Sequence, residues 1–237
     1  MREKHIMRAR EHTDQEFEQE LRHLREQLLL MGSHVEGIIG SSLQALVERD
    51  SVLAQRTIEA DRVVDRLEIE IDGLCLQILA RRQPVASDLR FVTMVLKAVT
   101  DLERMGDLGV NISERVLELN NEPPLKPYVD LPRMADETQM MLREALDAFV
   151  AKDADRARRV IARDQIIDDL YAQIFRELLT YMMEEAKNVY RATRLQSIAK
   201  YLERIADHAT NLAELVVFMV KGSDIRHPDS RDQGDKN

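Results

Sequence analysis

The chain has one cysteine, no tryptophan and only 4% aromatic residues among 237 positions. A single thiol excludes an intramolecular disulfide framework and a CxxC metal or redox site. It lies in Leu74-Cys75-Leu76, the setting of a buried, inert thiol. With so few rings the core has to be aliphatic, and eleven methionines are available to fill irregular gaps in it. No stretch approaches the ~18 consecutive apolar residues of a membrane span; the nearest, Leu215 to Val220, is far too short. The N-terminus, MREKHIMRAR, lacks the apolar run of a signal peptide. A cytoplasmic protein with no direct membrane insertion is the expectation.

Basic charge is also in short supply. Lys and Arg number 34 against 43 Asp and Glu, a formal net charge of −9. Sequence-independent nucleic-acid binding needs a basic footprint, so nucleic acid is not an expected partner. An acidic surface likewise has no general attraction to anionic lipid. Catalytic loops are missing as well: there is no Walker A loop, no G-x-G-x-x-G, no G-x-S-x-G and no H-E-x-x-H. An enzyme is therefore not the expectation.

Six prolines, at 84, 123, 124, 127, 132 and 228, punctuate the chain. Proline in a helix interior costs ~3 kcal/mol. The tracts between are rich in Leu, Ala, Glu, Arg and Gln, with no alternating strand pattern. The expected fold class is all-α. Thr13-Asp14-Gln15-Glu16 has the form of a capping box and starts the first helix at Thr13, which continues to about Glu48. Gly32, Gly37 and Gly40 predict close helix contact or a bend in its second half. Asp50-Ser51 caps a second helix that stops at Arg82 before Pro84, and Ser87 or Asp88 starts a third reaching about Leu119. The run from Asn120 to Pro127 cannot be helical and forms a central linker. Asp130 caps a fourth helix to Val150, and Asp153 caps a fifth to about Glu185. A sixth runs from near Asn188 to a glycine cap at Lys221-Gly222.

The two halves are copies. An offset of 103 pairs Leu43 with Leu146, Val47 with Val150, Asp50 with Asp153, Asp61 with Asp164 and Asp65 with Asp168. In the third helix of each half the offset becomes 100. The architecture is two tandem three-helix bundles related by an internal repeat, over 14–120 and 130–221, followed by a disordered polar tail over 222–237. Each half, at ~100 residues, is large enough to bury its own core.

The most specific signal is a pattern carried twice. Leu102-Glu103-Arg104-Met105-Gly106-Asp107 leads to Asn111, and Leu202-Glu203-Arg204-Ile205-Ala206-Asp207 leads to Asn211. The skeleton L-E-R-x-x-D-x-x-x-N places Glu203, Asp207 and Asn211 on one helix face, roughly opposite the apolar seam of Leu195, Ile198, Leu202, Ile205, Ala209, Leu212, Val216 and Met219. Asp61 with Asp65, and Asp164 with Asp168, form a second acidic pair on the preceding helix, prolonged in the first half by Glu68 and Asp72. Like charges one turn apart repel by a few tenths of a kcal/mol, and Asp is a poor residue for a helix interior. Crowded carboxylates on adjacent helices are ligands for hard or borderline divalent cations. The surface setting differs from a buried di-iron centre, which requires two Glu-x-x-His motifs; only Glu20-Leu21-Arg22-His23 has that form. His208 projects away from the stripe and reads as incidental. Arg104 and Arg204 are expected to pair with neighbouring acids.

The doubled L-E-R-x-x-D-x-x-x-N and doubled D-x-x-x-D, in two three-helix halves, resemble the PhoU family from about Glu16 to Val220. That resemblance implies a cytoplasmic homodimer that represses the phosphate-starvation response. The implied partners are the ATPase subunit of the phosphate ABC transporter (PstB) and a PhoR-type sensor kinase. It also implies iron or divalent metal ions, Fe, Zn, Mn or Mg. Carried over by position, the candidate metal ligands are Asp61, Asp65, Glu103 and Asp107 in the first half and Asp164, Asp168, Glu203 and Asp207 in the second. Asn111 and Asn211 match the motif as further metal or partner contacts. Two other readings stand beside a metal-binding, non-catalytic adaptor. One is a metal-free helical scaffold whose acidic stripes only solubilise the surface or meet basic helices. The other is a carboxylate-bridged metal enzyme.

Overall fold

The computed structural model describes the backbone of residues 2–222 and the side chains of residues 15–222. Its helices are α1 (Arg2–Glu48), α2 (Ser51–Arg82), α3 (Ala86–Asn120), α4 (Asp130–Ala151), α5 (Ala154–Glu184) and α6 (Val189–Lys221), with a 3-10 turn at Ala186–Asn188. Among the described residues there is no strand, and no helix is long and apolar enough to cross a membrane. The expected disorder beyond Gly222 lies outside the described residues.

Helix α1 begins at Arg2, not at Thr13. A capping box favours a helix start by ~1 kcal/mol, but it does not end a helix that precedes it. Residues 2–13 contain neither Gly nor Pro to stop one. The caps at Asp50 and Asp153 form as expected. Asp50 Oδ1 accepts from the backbone N–H groups of Val52 and Leu53 at 2.8 and 2.9 Å, and Asp153 Oδ1 from those of Asp155 and Arg156 at 3.0 and 2.9 Å. The residues before them, Arg49 and Lys152, are both left-handed, with φ of 56° and 54°. The Asp50 N–H reaches back to Ala45 O at 3.0 Å and the Asp153 N–H to Ala148 O at 2.9 Å. The repeat therefore extends to the backbone of its first turn. Two other expected caps do not form. Helix α3 starts at Ala86 behind Val85, without a side-chain cap. Asp130 is already inside α4 and its Oδ2 accepts from Gln173 Nε2 at 3.2 Å instead.

Helices α1, α2 and α3 pack against one another, as do α4, α5 and α6. The halves meet through α3 against α6 and α1 against α4, so α1, α3, α6 and α4 form an inner ring with α2 and α5 flanking it. Every member of the α6 apolar seam is buried, as is Cys75, whose thiol burial pushes up to about 12. Although each half is large enough for a core of its own, the buried side chains form one continuous cluster spanning both. Gly32 is a close approach of α1 to α4: a Cβ there would overlap Leu146 Cδ1. Gly37, in contrast, faces open space. The linker is pinned by Arg191, which is buried and donates from Nη1 to Pro123 O at 3.0 Å, and by Arg49, whose Nη2 donates to Glu122 O at 2.6 Å.

Candidate metal-binding faces

The 3.6-residue repeat puts the acidic pairs of α2 and α3 on facing sides of one groove, and α5 and α6 repeat the arrangement. In the first half, Asp61 is raised to about 6, by loss of water around it first and by the charges of Asp65 and Asp107 next. Its Oδ1 is closed off from solvent and has no hydrogen-bond partner. The reason is local: a Cβ at Gly106 would lie 2.6 Å from that oxygen, so the carboxylate rests over bare α3 backbone. Glu103 is raised by desolvation, then by Asp107 and Glu68. Glu68 is raised by desolvation, then by Asp72, Asp65 and Asp107. Asp61 and Glu103 are half-buried; Asp65 and Asp107 are exposed. These mutual interactions bring the four expected acids of this half, with Glu68 and Asp72, into one electrostatic field.

The second half gathers Asp164, Asp168, Glu203 and Asp207 in the same way. Asp164 is raised by desolvation, then by Asp207 and Asp168. Thr210 lies close enough to oppose that shift, but its hydroxyl falls outside hydrogen-bonding geometry. Asp207 is raised by desolvation and by Glu203. Here an internal cation intervenes: Lys200 Nζ donates to both Glu203 oxygens at 2.6 and 2.5 Å. The repeat places Thr100 at the corresponding position of the first half, so the first-half acids have no such lysine. The i,i+3 spacing of Lys200 and Glu203 was the available sequence signal.

Three expectations change. Arg104 and Arg204 are exposed and form no ion pair among the described residues, although the Arg104 charge pulls Glu103 downward against its other neighbours. His208 is not incidental: its Nδ1 lies 2.8 Å from Asp101 Oδ1 and ties α6 to α3. Asn211 donates from Nδ2 to the same oxygen at 3.4 Å, so its amide is turned to the seam between the halves and away from the acids of α5. Asn111 is half-buried on α3. Among the described residues no three His, Cys, Asp or Glu side chains converge closely enough to hold a metal ion. The chemistry of the donor set nevertheless fits a hard cation: the donors are carboxylate oxygens, mutually repelling, and one of them has neither water nor a protein partner.

The fold and these faces define a class: a duplicated three-helix protein with a carboxylate-lined groove on each half. The PhoU domain family model matches the chain twice, over residues 28–116 and 131–216. The chain belongs to the PhoU family. It is 44% identical over 218 residues to the phosphate-specific transport system accessory protein PhoU homolog of Pseudomonas putida, covering 91% of this chain and 85% of that one. To the phosphate-specific transport system accessory protein PhoU of Escherichia coli (strain K12) it is 38% identical over 216 residues, 91% and 90% of the two chains. The crystal structure of PhoU from Pseudomonas aeruginosa superposes with a TM-score of 0.84 at 42% identity, covering 87% of this chain and all (100%) of that one. The phosphate transport system regulatory protein PhoU from Streptococcus pneumoniae gives 0.81 at 30% identity, covering 89% and 100%.

Proposed function

We propose that the chain is a non-catalytic regulator of phosphate uptake, an accessory protein of a phosphate-specific transport system. The reading rests on one observation above all. Identity of 38% to the Escherichia coli accessory protein runs through 91% of this chain and 90% of that one, leaving no large segment of either unmatched. In this reading the protein is a cytoplasmic homodimer that acts on the transporter's ATPase subunit (PstB) and on a PhoR-type sensor kinase, repressing the starvation response when phosphate is plentiful. The grooves of Asp61, Asp65, Glu103 and Asp107, and of Asp164, Asp168, Glu203 and Asp207, take divalent or iron cations. Such a cation would offset the repulsion among the acids and offer open coordination positions to a partner's acidic or phosphate group. Complementation tests the regulatory role. In a bacterium lacking its own accessory protein, this chain is expected to restore low phosphatase-reporter expression in phosphate-rich medium; a reporter that stays fully induced contradicts it.

A metal-free scaffold is the second reading. It is favoured by Lys200, which already neutralises Glu203 without a cation. In that case the grooves would receive basic helices of partners, and a chelator would leave partner binding unchanged.

A further inference from the structure

The groove between α1 and α2 has the opposite character to the acidic faces. It is an open cleft of about 310 Å³ whose polar lining is Ser33, His34, Ser41, Arg56 and Thr57, with no carboxylate. This stands out in a chain of net charge −9. Arg56, His34, Ser33 and Ser41 have no hydrogen-bond or ion-pair partner among the described residues. The Thr57 hydroxyl donates to Leu53 O at 2.8 Å and is committed to its own helix. Four side chains able to donate hydrogen bonds, drawn from two helices, thus share one cleft unused.

The second half shows what the same groove looks like when it is closed. By the offset of 103, Gly37, His34 and Ala60 correspond to Met140, Glu137 and Arg163. There Arg163 Nη1 crosses from α5 to α4, 3.2 Å from Glu137 Oε2 and 2.6 Å from Met140 Sδ. Arg163, at the position of Ala60, is paired and its side chain fills the space between α4 and α5. In the first half, Ala60 removes the bridging arginine, His34 replaces its acid and Gly37 removes the side chain that would fill the gap. Three differences at nearby positions together convert a filled contact into an open cleft, while Arg56 itself corresponds to Arg159 of the second half.

We propose that this cleft binds a tetrahedral oxyanion, inorganic phosphate or the phosphoryl group of a small phosphate monoester. Arg56 supplies charge and paired N–H donors and Ser41 a hydroxyl from the facing helix, while Ser33 and His34, ~11–12 Å further along α1 by its rise of ~1.5 Å per residue, line the far end of the cleft, where a monoester's organic group would lie. Donors arriving from two helices suit a tetrahedral dianion better than a planar carboxylate, which a single guanidinium fork satisfies. The cleft is larger than a bare phosphate and leaves room for a small organic group. The inference is independent of the acidic faces and of the regulatory role.

The test is calorimetric titration of the full chain, in the presence of a chelator so that no cation bridges the ligand. Inorganic phosphate and adenosine monophosphate are the probes. Two variants accompany the wild type: Arg56→Ala and Gly37→Met, the second copying the closed half. Position 37 has no atom within 4 Å of an added Cβ, and methionine replaces a poor helix residue by a good one. Saturable binding to the wild type that weakens at least ~10-fold in both variants supports the site. The tighter probe then tells a free ion from a monoester. No saturation by either probe at millimolar concentration, or equal binding by wild type and both variants, overturns it.

Discussion

Asp61 is where the two demands on the chain meet most sharply. Its Oδ1 has lost water without gaining a donor, and it sits among like charges that help hold its carboxyl at about 6. An unfolded aspartate titrates near ~3.9. Between about pH 4 and about pH 6 the folded state therefore binds the extra proton, and this group adds stability as pH falls through that window. Above it the ionised, unpartnered carboxylate costs stability. In chelator-treated protein, Asp61→Asn is expected to raise Tm at pH 7 by roughly 2–4 °C, equivalent to ~1 kcal/mol for a chain of this size. The wild-type and variant curves should converge towards pH 5. Thermal denaturation across pH 5–8 checks this, and a variant less stable than wild type at pH 7 would mean the carboxylate is satisfied. The comparison between the two proteins matters because Glu20, lowered by its bond to Arg82, and Asp153, lowered by the backbone N–H of Arg156, lose stability in acid.

At the scale of the element, the first turn of each half couples a left-handed residue to an aspartate cap. A non-glycine residue at positive φ carries a steric cost of roughly 1 kcal/mol. Arg49 offsets it with bonds from Nη2 to Leu119 O, Asn120 O and Glu122 O. Among the described residues the Lys152 side chain has only a distant contact, its Nζ 5.8 Å from the Phe91 ring centroid. Lys152→Gly is therefore expected to stabilise the fold by ~0.5–1 kcal/mol, measured by denaturant unfolding; Arg49→Gly is expected to destabilise it. How legible each element was in the sequence follows from the range of the forces that shape it. The caps at Asp50 and Asp153 and the seam of α6 are local or periodic, and they read directly. The start of α1 did not, because the Thr13 cap signal says where a helix could begin and residues 2–13 continue it regardless. Gly106 stands where the second half has Ala206, but nothing local shows that Asp61 is what approaches it. The His208–Asp101 contact spans 107 residues, and nothing local to either residue announces it.

At the scale of the molecule, duplication has produced two grooves with the same carboxylates and different neighbours. One continuous core joins the halves, so the grooves are held on a single body through α3 against α6 and α1 against α4. The sequence pairing located all eight acids, and the structure brings them into two electrostatically coupled sets. What the repeat alone did not convey is their inequality. Lys200 occupies Glu203 in the second half, while Asp61 keeps a bare, water-free oxygen in the first. If the acids are cation sites, the first half should bind more tightly. It should also be the less disturbed by replacing Lys200.

The measurement that bears most directly on this account is metal content and affinity of untagged protein, by elemental analysis followed by titration with Mn²⁺ and Fe²⁺. Wild type is compared with Asp61→Ala/Asp107→Ala and Glu203→Ala/Asp207→Ala. The account predicts two classes of site in the wild type. The tighter class should be lost from the first variant and the weaker from the second, with helicity unchanged in both. Equal metal binding by all three proteins, or no saturable binding to the wild type, would contradict it.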